Sequence, residues 1–221
     1  MWLFDYSQGA AYEAFSISQD VSRMIEGYLL DHYDLKGKTI LEIGAGSGKF
    51  TSTLSKECSK LYVVEKSASL MQINRNKNYD IDNIDFVLSD MKNLTMEPKS
   101  IDIIFAGWSL TSMKESFDII FDIFKNVLRN EGMIILVENA GNDEFCKIMD
   151  IDGFTSKMKQ TYIDIGFIPR KVIDTTIKLS HEDVFYNAFP NKMKVKLSSL
   201  DIQHKVLIME MQASALQSQR T

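Results

Sequence analysis

Cysteine, proline and histidine are all scarce in this chain of 221 residues, which carries two, three and three of them. Cys58 and Cys146 are far apart and neither belongs to a C-x-x-C pair, so neither a disulfide framework nor a zinc site is suggested. His32, His181 and His204 lack metal-ligand spacing, and no metal is expected. No apolar run approaches the ~20 residues that a membrane-spanning helix requires. The N-terminus carries Asp5 and no basic region, so a signal peptide is not expected and the cytoplasm is the default location. Positive charge is also in deficit: 25 Lys and Arg against 30 Asp and Glu leave a net charge of -5. That balance argues against a dominant nucleic-acid footprint, which needs a basic face. Lys157-Met158-Lys159 and Lys192-Met193-Lys194-Val195-Lys196 read as solvated faces. Repeats, low-complexity blocks and an interdomain linker are all missing. The length suits one well-packed α/β domain, here 1–212, followed by a small polar tail at 213–221.

What is present begins at residues 38–43, a β-branched and apolar run of strand length, followed by Gly44-Ala45-Gly46-Ser47-Gly48-Lys49 and a helical stretch through about Lys60. A strand, three glycines in five residues and a helix form a cofactor-binding turn. Glycine lets backbone approach a ligand closely, and the amides opening the helix face whatever sits in the turn. Spacing separates the kinds of site that use such a loop. A phosphate-binding P-loop needs G-x-x-x-x-G-K-[ST]; Gly44 to Gly48-Lys49 is one residue short, and Phe50 stands where a hydroxyl would hold magnesium. The dinucleotide fingerprint G-x-G-x-x-G meets Lys49 at its third glycine. What remains is acidic-x-G-x-G-x-G, read as Glu42 through Gly48.

Further acids recur at strand ends. Residues 61–65 form a second strand ending in Glu65, 17 residues after Gly48. A carboxylate there faces the crevice of a doubly wound sheet and can bind both ribose hydroxyls of a nucleoside. A third strand, 84–88, leads to Asp90 and Met91. The fourth, 101–106, runs into Gly107 and Trp108, and the fifth, 133–137, ends at Glu138-Asn139. Ser112 and Glu115 have capping-box spacing and are expected to open a helix with the apolar stripe Phe117, Ile120, Phe121, Phe124, Val127 and Leu128. Val21, Met24, Ile25, Tyr28 and Leu29 are the stripe of an earlier helix. Residues 1–18 are aromatic without a clean period (Trp2, Phe4, Tyr6, Tyr12, Phe15). They serve either as an arm packed on the core or, with the helix up to 36, as a lid over a small-molecule pocket. Beyond 139 the reading is a helix interrupted near Gly153, a sixth strand at 172–179, a helix stopped at Pro190 and a last strand at 203–211.

The ordered set Glu42/Gly44/Gly46/Gly48, Glu65 and Asp90/Met91 resembles the class I S-adenosylmethionine-dependent methyltransferases over about residues 37–139. The resemblance implies a Rossmann-like doubly wound, mostly parallel seven-stranded sheet with an antiparallel terminal strand. It implies cofactor contacts from Glu42, Gly44, Ala45, Gly46, Gly48, Glu65, Lys66, Asp90, Met91, Gly107 and Trp108, with Asp90 toward the adenine amino group and Met91 against its ring. The cofactor carries the activation in such chemistry, so a dedicated base is optional. The candidates near the expected site are Trp108, Glu138, Asn139, Tyr6, Tyr12 and His32, the last read as structural from its place late in a helix. The Asn/Asp-Pro-Pro-Tyr/Phe motif of amino-methylating nucleic-acid enzymes is replaced by Ala106-Gly107-Trp108-Ser109. The acidic charge, the aromatic arm and the modest size of everything beyond the sheet make a small-molecule acceptor expected ahead of protein or RNA, or of a non-catalytic cofactor-binding subunit.

Overall fold

Strands that are apolar at nearly every position are buried on both faces, and the chain has four of them at its centre. In a computed structural model, which describes residues 9–218, β1 (Thr39–Ile43), β2 (Lys60–Glu65), β3 (Ile84–Leu88), β4 (Ile101–Gly107) and β5 (Leu128–Asn139) run parallel. β6 (Ile168–Lys178) and β7 (Asp201–Gln212) complete one seven-stranded sheet in the order β3-β2-β1-β4-β5-β7-β6. β7 is antiparallel to both of its neighbours. The chain order reverses at β1, which lies between β2 and β4. A crevice opens at such a point, beyond the carboxyl ends of the strands.

Helices cover both faces. α2 (Met24–His32) and α3 (Thr51–Glu57) bury Ile25, Leu29 and Leu54 with Ile40, Val63 and Phe105 of one face. On the other, α5 (Phe117–Val127), α7 (Asp152–Asp164) and α9 (Ala213–Ser218) enclose Leu41, Ile104 and Leu136. α4 (Ala68–Lys77) follows β2, with Ser67 accepting the Leu70 amide as its cap. A third apolar cluster joins α1 (Gly9–Ser18), α6 (Glu144–Met149) and α8 (Glu182–Ala188) through Phe15, Phe145, Phe185 and Phe189. α6 leaves the carboxyl end of β5, so this cluster rises above the crevice end of the sheet.

Several local expectations are corrected. Val21 and Met24 are exposed rather than on the buried stripe of α2, because Asp20 caps the helix at Met24 and Ile25, its carboxylate accepting both amides. The Ser112/Glu115 capping box does not form. Ser112 donates to the Ser109 carbonyl and Glu115 pairs with Lys114, so a 3-10 turn, Leu110–Ser116, precedes α5. Leu128 leaves the α5 stripe to begin β5, five residues earlier than expected. The helix break falls at Asp150, in the left-handed region, not at Gly153, which lies within α7. Residues 213–218 are helix α9 with Ala213 and Leu216 buried, not part of a frayed tail. Trp2, Phe4 and Tyr6 lie outside the described residues.

Candidate active site

The turn after β1 is built from backbone that only glycine adopts freely. Gly44, Gly46 and Gly48 have φ of +58°, +57° and +86°. A Cβ at Gly44 would come within 2.5 Å of Ser109 Cβ, and one at Gly48 would collide with the Asn74 side chain. Glu65, at the carboxyl end of β2, fastens the loop: one carboxylate oxygen accepts the Gly46 amide at 2.9 Å and the other the Ser67 amide at 2.7 Å. Glu42 is fully buried and accepts a hydrogen bond from Thr51 Oγ1 at 2.6 Å. Burial pushes its carboxyl up to about 8, against the opposing hydrogen bond. Ser47 Oγ, at the centre of the loop, is buried with no hydrogen-bond partner. A cradle of positive-φ glycines around an orphaned hydroxyl suits a ligand with hydroxyl and amine groups.

A cavity of about 510 Å³ lies against this loop. Among the sequence candidates it brings together Glu42, Gly44, Ala45, Gly107, Trp108, Glu138, Asn139 and Tyr12. Gly46, Gly48, Glu65, Lys66, Asp90 and Met91 are outside its lining. Tyr12 stands between the two groups, its hydroxyl 3.1 Å from where a Gly46 Cβ would be. Asp90 caps a short 3-10 turn and Met91 is buried in the core beneath it. Lys66 is exposed. His32 is exposed too, its ring nitrogen on the Tyr28 carbonyl, away from the cavity lining.

At the end of β4, Trp108 holds φ +50°, a strained conformation for a bulky residue. Its ring stacks between Phe50 and His204, at centroid distances of 5.8 and 6.1 Å. At the end of β5, Glu138 Oε1 accepts the Thr111 amide (3.1 Å), the Thr111 hydroxyl (2.7 Å) and, at 3.4 Å, the Tyr162 hydroxyl. Its Oε2 has no hydrogen bond among the described residues. Burial raises this carboxyl to about 7. Asn139 Oδ1 receives both the Trp108 indole N–H at 3.1 Å and His204 Nε2 at 2.9 Å.

Sequence reasoning missed Thr111, Tyr162, His204 and Lys49. His204 shares a fully buried face with Ile202 and Val206, a period-2 signal that was available. Thr111 and Tyr162 meet Glu138 only through the fold. Lys49 entered the sequence reading only as a misfit to phosphate motifs. It is a half-buried clamp, its ammonium donating to the Ser16 and Gln19 carbonyls at the end of α1 (2.9 and 2.6 Å), and desolvation lowers it to about 8. Among the described residues, no group of three His, Cys, Asp or Glu is placed to hold a metal ion, and no helix is long and apolar enough to cross a membrane.

A doubly wound sheet with a glycine-cradled crevice and an acid at the carboxyl end of β2 is an arrangement suited to a nucleoside cofactor. Residues 41–136 match the family described as Methyltransferase domain. The matched stretch, from β1 into β5, likens the chain to S-adenosylmethionine-dependent methyltransferases. Over 108 residues it is 30% identical to phosphoethanolamine N-methyltransferase 1 of Caenorhabditis elegans, covering 48% of this chain and 22% of that protein. The chain thus spans about a fifth of that relative's length. Over 171 residues it is 26% identical to ribosomal RNA small subunit methyltransferase A of Mesomycoplasma hyopneumoniae, covering 70% and 62% of the two chains. Its fold resembles that of geranyl diphosphate C-methyltransferase from Streptomyces coelicolor, a structure holding Mg2+, geranyl diphosphate and S-adenosyl-L-homocysteine. The TM-score is 0.58 at 13% identity, over 86% of this chain and 79% of that one.

Proposed function

We propose that the chain methylates a small molecule through a nitrogen or oxygen that carries a proton, with Glu138 accepting that proton. The carrying observation is the Glu138 carboxyl. Its Oε1 is held by Thr111 while its Oε2 is unbonded, on the wall of a cavity that also touches the glycine loop. A carboxyl near 7 is matched to proton transfer at neutral pH. The glycine loop, Glu65, Asp90 and Met91 would hold the nucleoside end of the cofactor, and Glu42 and Ser47 offer polar atoms to the rest. S-adenosylmethionine, when bound, supplies an activated methyl group. The chain's own part is to position the acceptor between Trp108 and Glu138, exclude water with apolar walls and take up the proton.

The cavity volume of about 510 Å³ falls in the range of small-molecule sites. Its apolar lining and the net charge of -5 disfavour an RNA acceptor, the activity named for the ribosomal relative. Incubating the protein with methyl-labelled S-adenosylmethionine and fractionated cell extract tests the proposal. Label should appear in the low-molecular-weight fraction. Label confined to RNA or protein would overturn it.

A further inference from the structure

The cavity has a second polar wall, set against the Glu138 side, whose donors serve nothing within the described chain. Glu138 and Asn139 are successive residues, so their side chains leave β5 on opposite faces, and both reach the cavity. The indole N–H of Trp108 can only donate, so the oxygen of the Asn139 amide must be the atom it meets. His204 Nε2 approaches the same oxygen and must therefore carry its proton, leaving Nδ1 bare. His204 Nδ1 has no partner and the imidazole is buried. Burial also keeps that ring neutral, lowering it to about 4. Two donors on one acceptor hold the amide in a single orientation, and its NH2 group has no hydrogen bond among the described residues. A cavity wall that keeps an amide donor oriented and unpaired is prepared for an oxygen acceptor.

The surroundings limit what that oxygen belongs to. Phe15, Phe145, Phe189, Met149, Phe154 and Met158 line the cavity. Among the described residues the lining includes no arginine, and its cations are Lys49 and Lys159. Lys49 already serves the Ser16 and Gln19 carbonyls. Phosphate recognition calls for bidentate or multiple cationic donors; with Lys49 engaged, the lining leaves the single cation Lys159, and the Asn139 wall offers a neutral amide among aromatic rings.

We infer that the acceptor has an apolar, ring-sized body and an uncharged oxygen, such as a carbonyl, that the Asn139 amide binds, and that it is not a phosphate ester. This rests on the methyl-transfer reading above and deepens it. Asn139 is the specificity residue; Trp108 and His204 position it. The group presented to Glu138 is then fixed at the other end of the same molecule.

The test uses the full chain saturated with S-adenosylhomocysteine and three probes: 4-hydroxyacetophenone, 4-ethylphenol and phosphoethanolamine. The two phenols match in shape and differ at the carbonyl oxygen. Calorimetry should show the ketone binding the wild-type protein at least tenfold more tightly than 4-ethylphenol, with phosphoethanolamine weaker than both. Asn139→Leu removes the donor. Asn139→Asp keeps acceptors for Trp108 and His204, preserves the buried network and presents a repelling oxygen to the ketone. Both variants should bind the two phenols within twofold of each other, and S-adenosylhomocysteine affinity reports that each is folded. Phosphoethanolamine binding most tightly, no preference in the wild type, no binding of either phenol, or a preference that survives both variants would overturn the inference. Failure of S-adenosylhomocysteine itself to bind the wild type would instead strike the methyltransferase reading.

Discussion

Glu138 lies on the cavity wall, and its folded environment decides whether it is charged at neutral pH. Burial raises it from 4.5 to about 7, so the native state favours the protonated form. Its contribution to stability is present below pH 4.5 and is lost as the pH rises through 7. Glu138→Gln should therefore melt higher than wild type at pH 8 and close to it at pH 4, by calorimetric scans across that range. In turnover the sign is reversed, because only the carboxylate can accept a proton. The wild-type rate should climb through an apparent pKa near 7, and the Gln variant should lose that limb and ~10²–10⁴-fold in rate. Glu65 makes a different case. Both of its oxygens already accept backbone amides, so Glu65→Ala unfastens the loop as well as any ribose contact. It should weaken S-adenosylhomocysteine binding by about 1–3 kcal/mol and also lower the melting temperature without ligand. An unchanged dissociation constant would take Glu65 out of the site.

At the scale of elements, α1 is held by specific polar contacts as well as by its apolar ones. Lys49 grips the carbonyls at its carboxyl end, Lys77 pairs with Glu13 and also reaches the Ser47 carbonyl, and Tyr12 rests on Gly46. Lys49→Met should free that end of α1. Hydrogen exchange should then speed up over residues 9–18 while β1 and β4 keep their protection; unchanged exchange in α1 would show that the apolar contacts of Phe15 suffice to dock it. This element is also where the sequence was least legible. Gly9–Ser18 packs one side on aromatic rings and another on a polar loop, so no 3.6-residue stripe marks it as a helix. Four of the five parallel strands were readable for the opposite reason, since burial on both faces leaves runs such as Leu61–Val64 and Ile103–Ala106 almost wholly apolar or aromatic. The Ser112 pattern misled because its hydroxyl found a closer carbonyl at Ser109. The site divides in the same way. Acids and glycines at strand ends announced themselves by position, whereas Thr111, Tyr162 and the Lys49 clamp depend on contacts between residues 24 to 51 apart in the chain.

For the molecule as a whole, topology explains why these groups meet. The order β3-β2-β1-β4-β5-β7-β6 places the carboxyl ends of β1, β2, β4 and β5 along one rim. Glu65, the glycine loop, Trp108 and Glu138 are successive stations on it. Antiparallel β7 enters at that rim, which brings His204 to Asn139 from a distant part of the chain. α6, α8 and α1 then close the space above with aromatic side chains. The loop spacing misses both phosphate-binding patterns by one residue, so its selectivity is the most direct test of the account. Isothermal calorimetry on the purified chain should show S-adenosylhomocysteine binding at one site per molecule and neither ATP nor NAD competing for it. Tighter binding of ATP or NAD than of S-adenosylhomocysteine would contradict it.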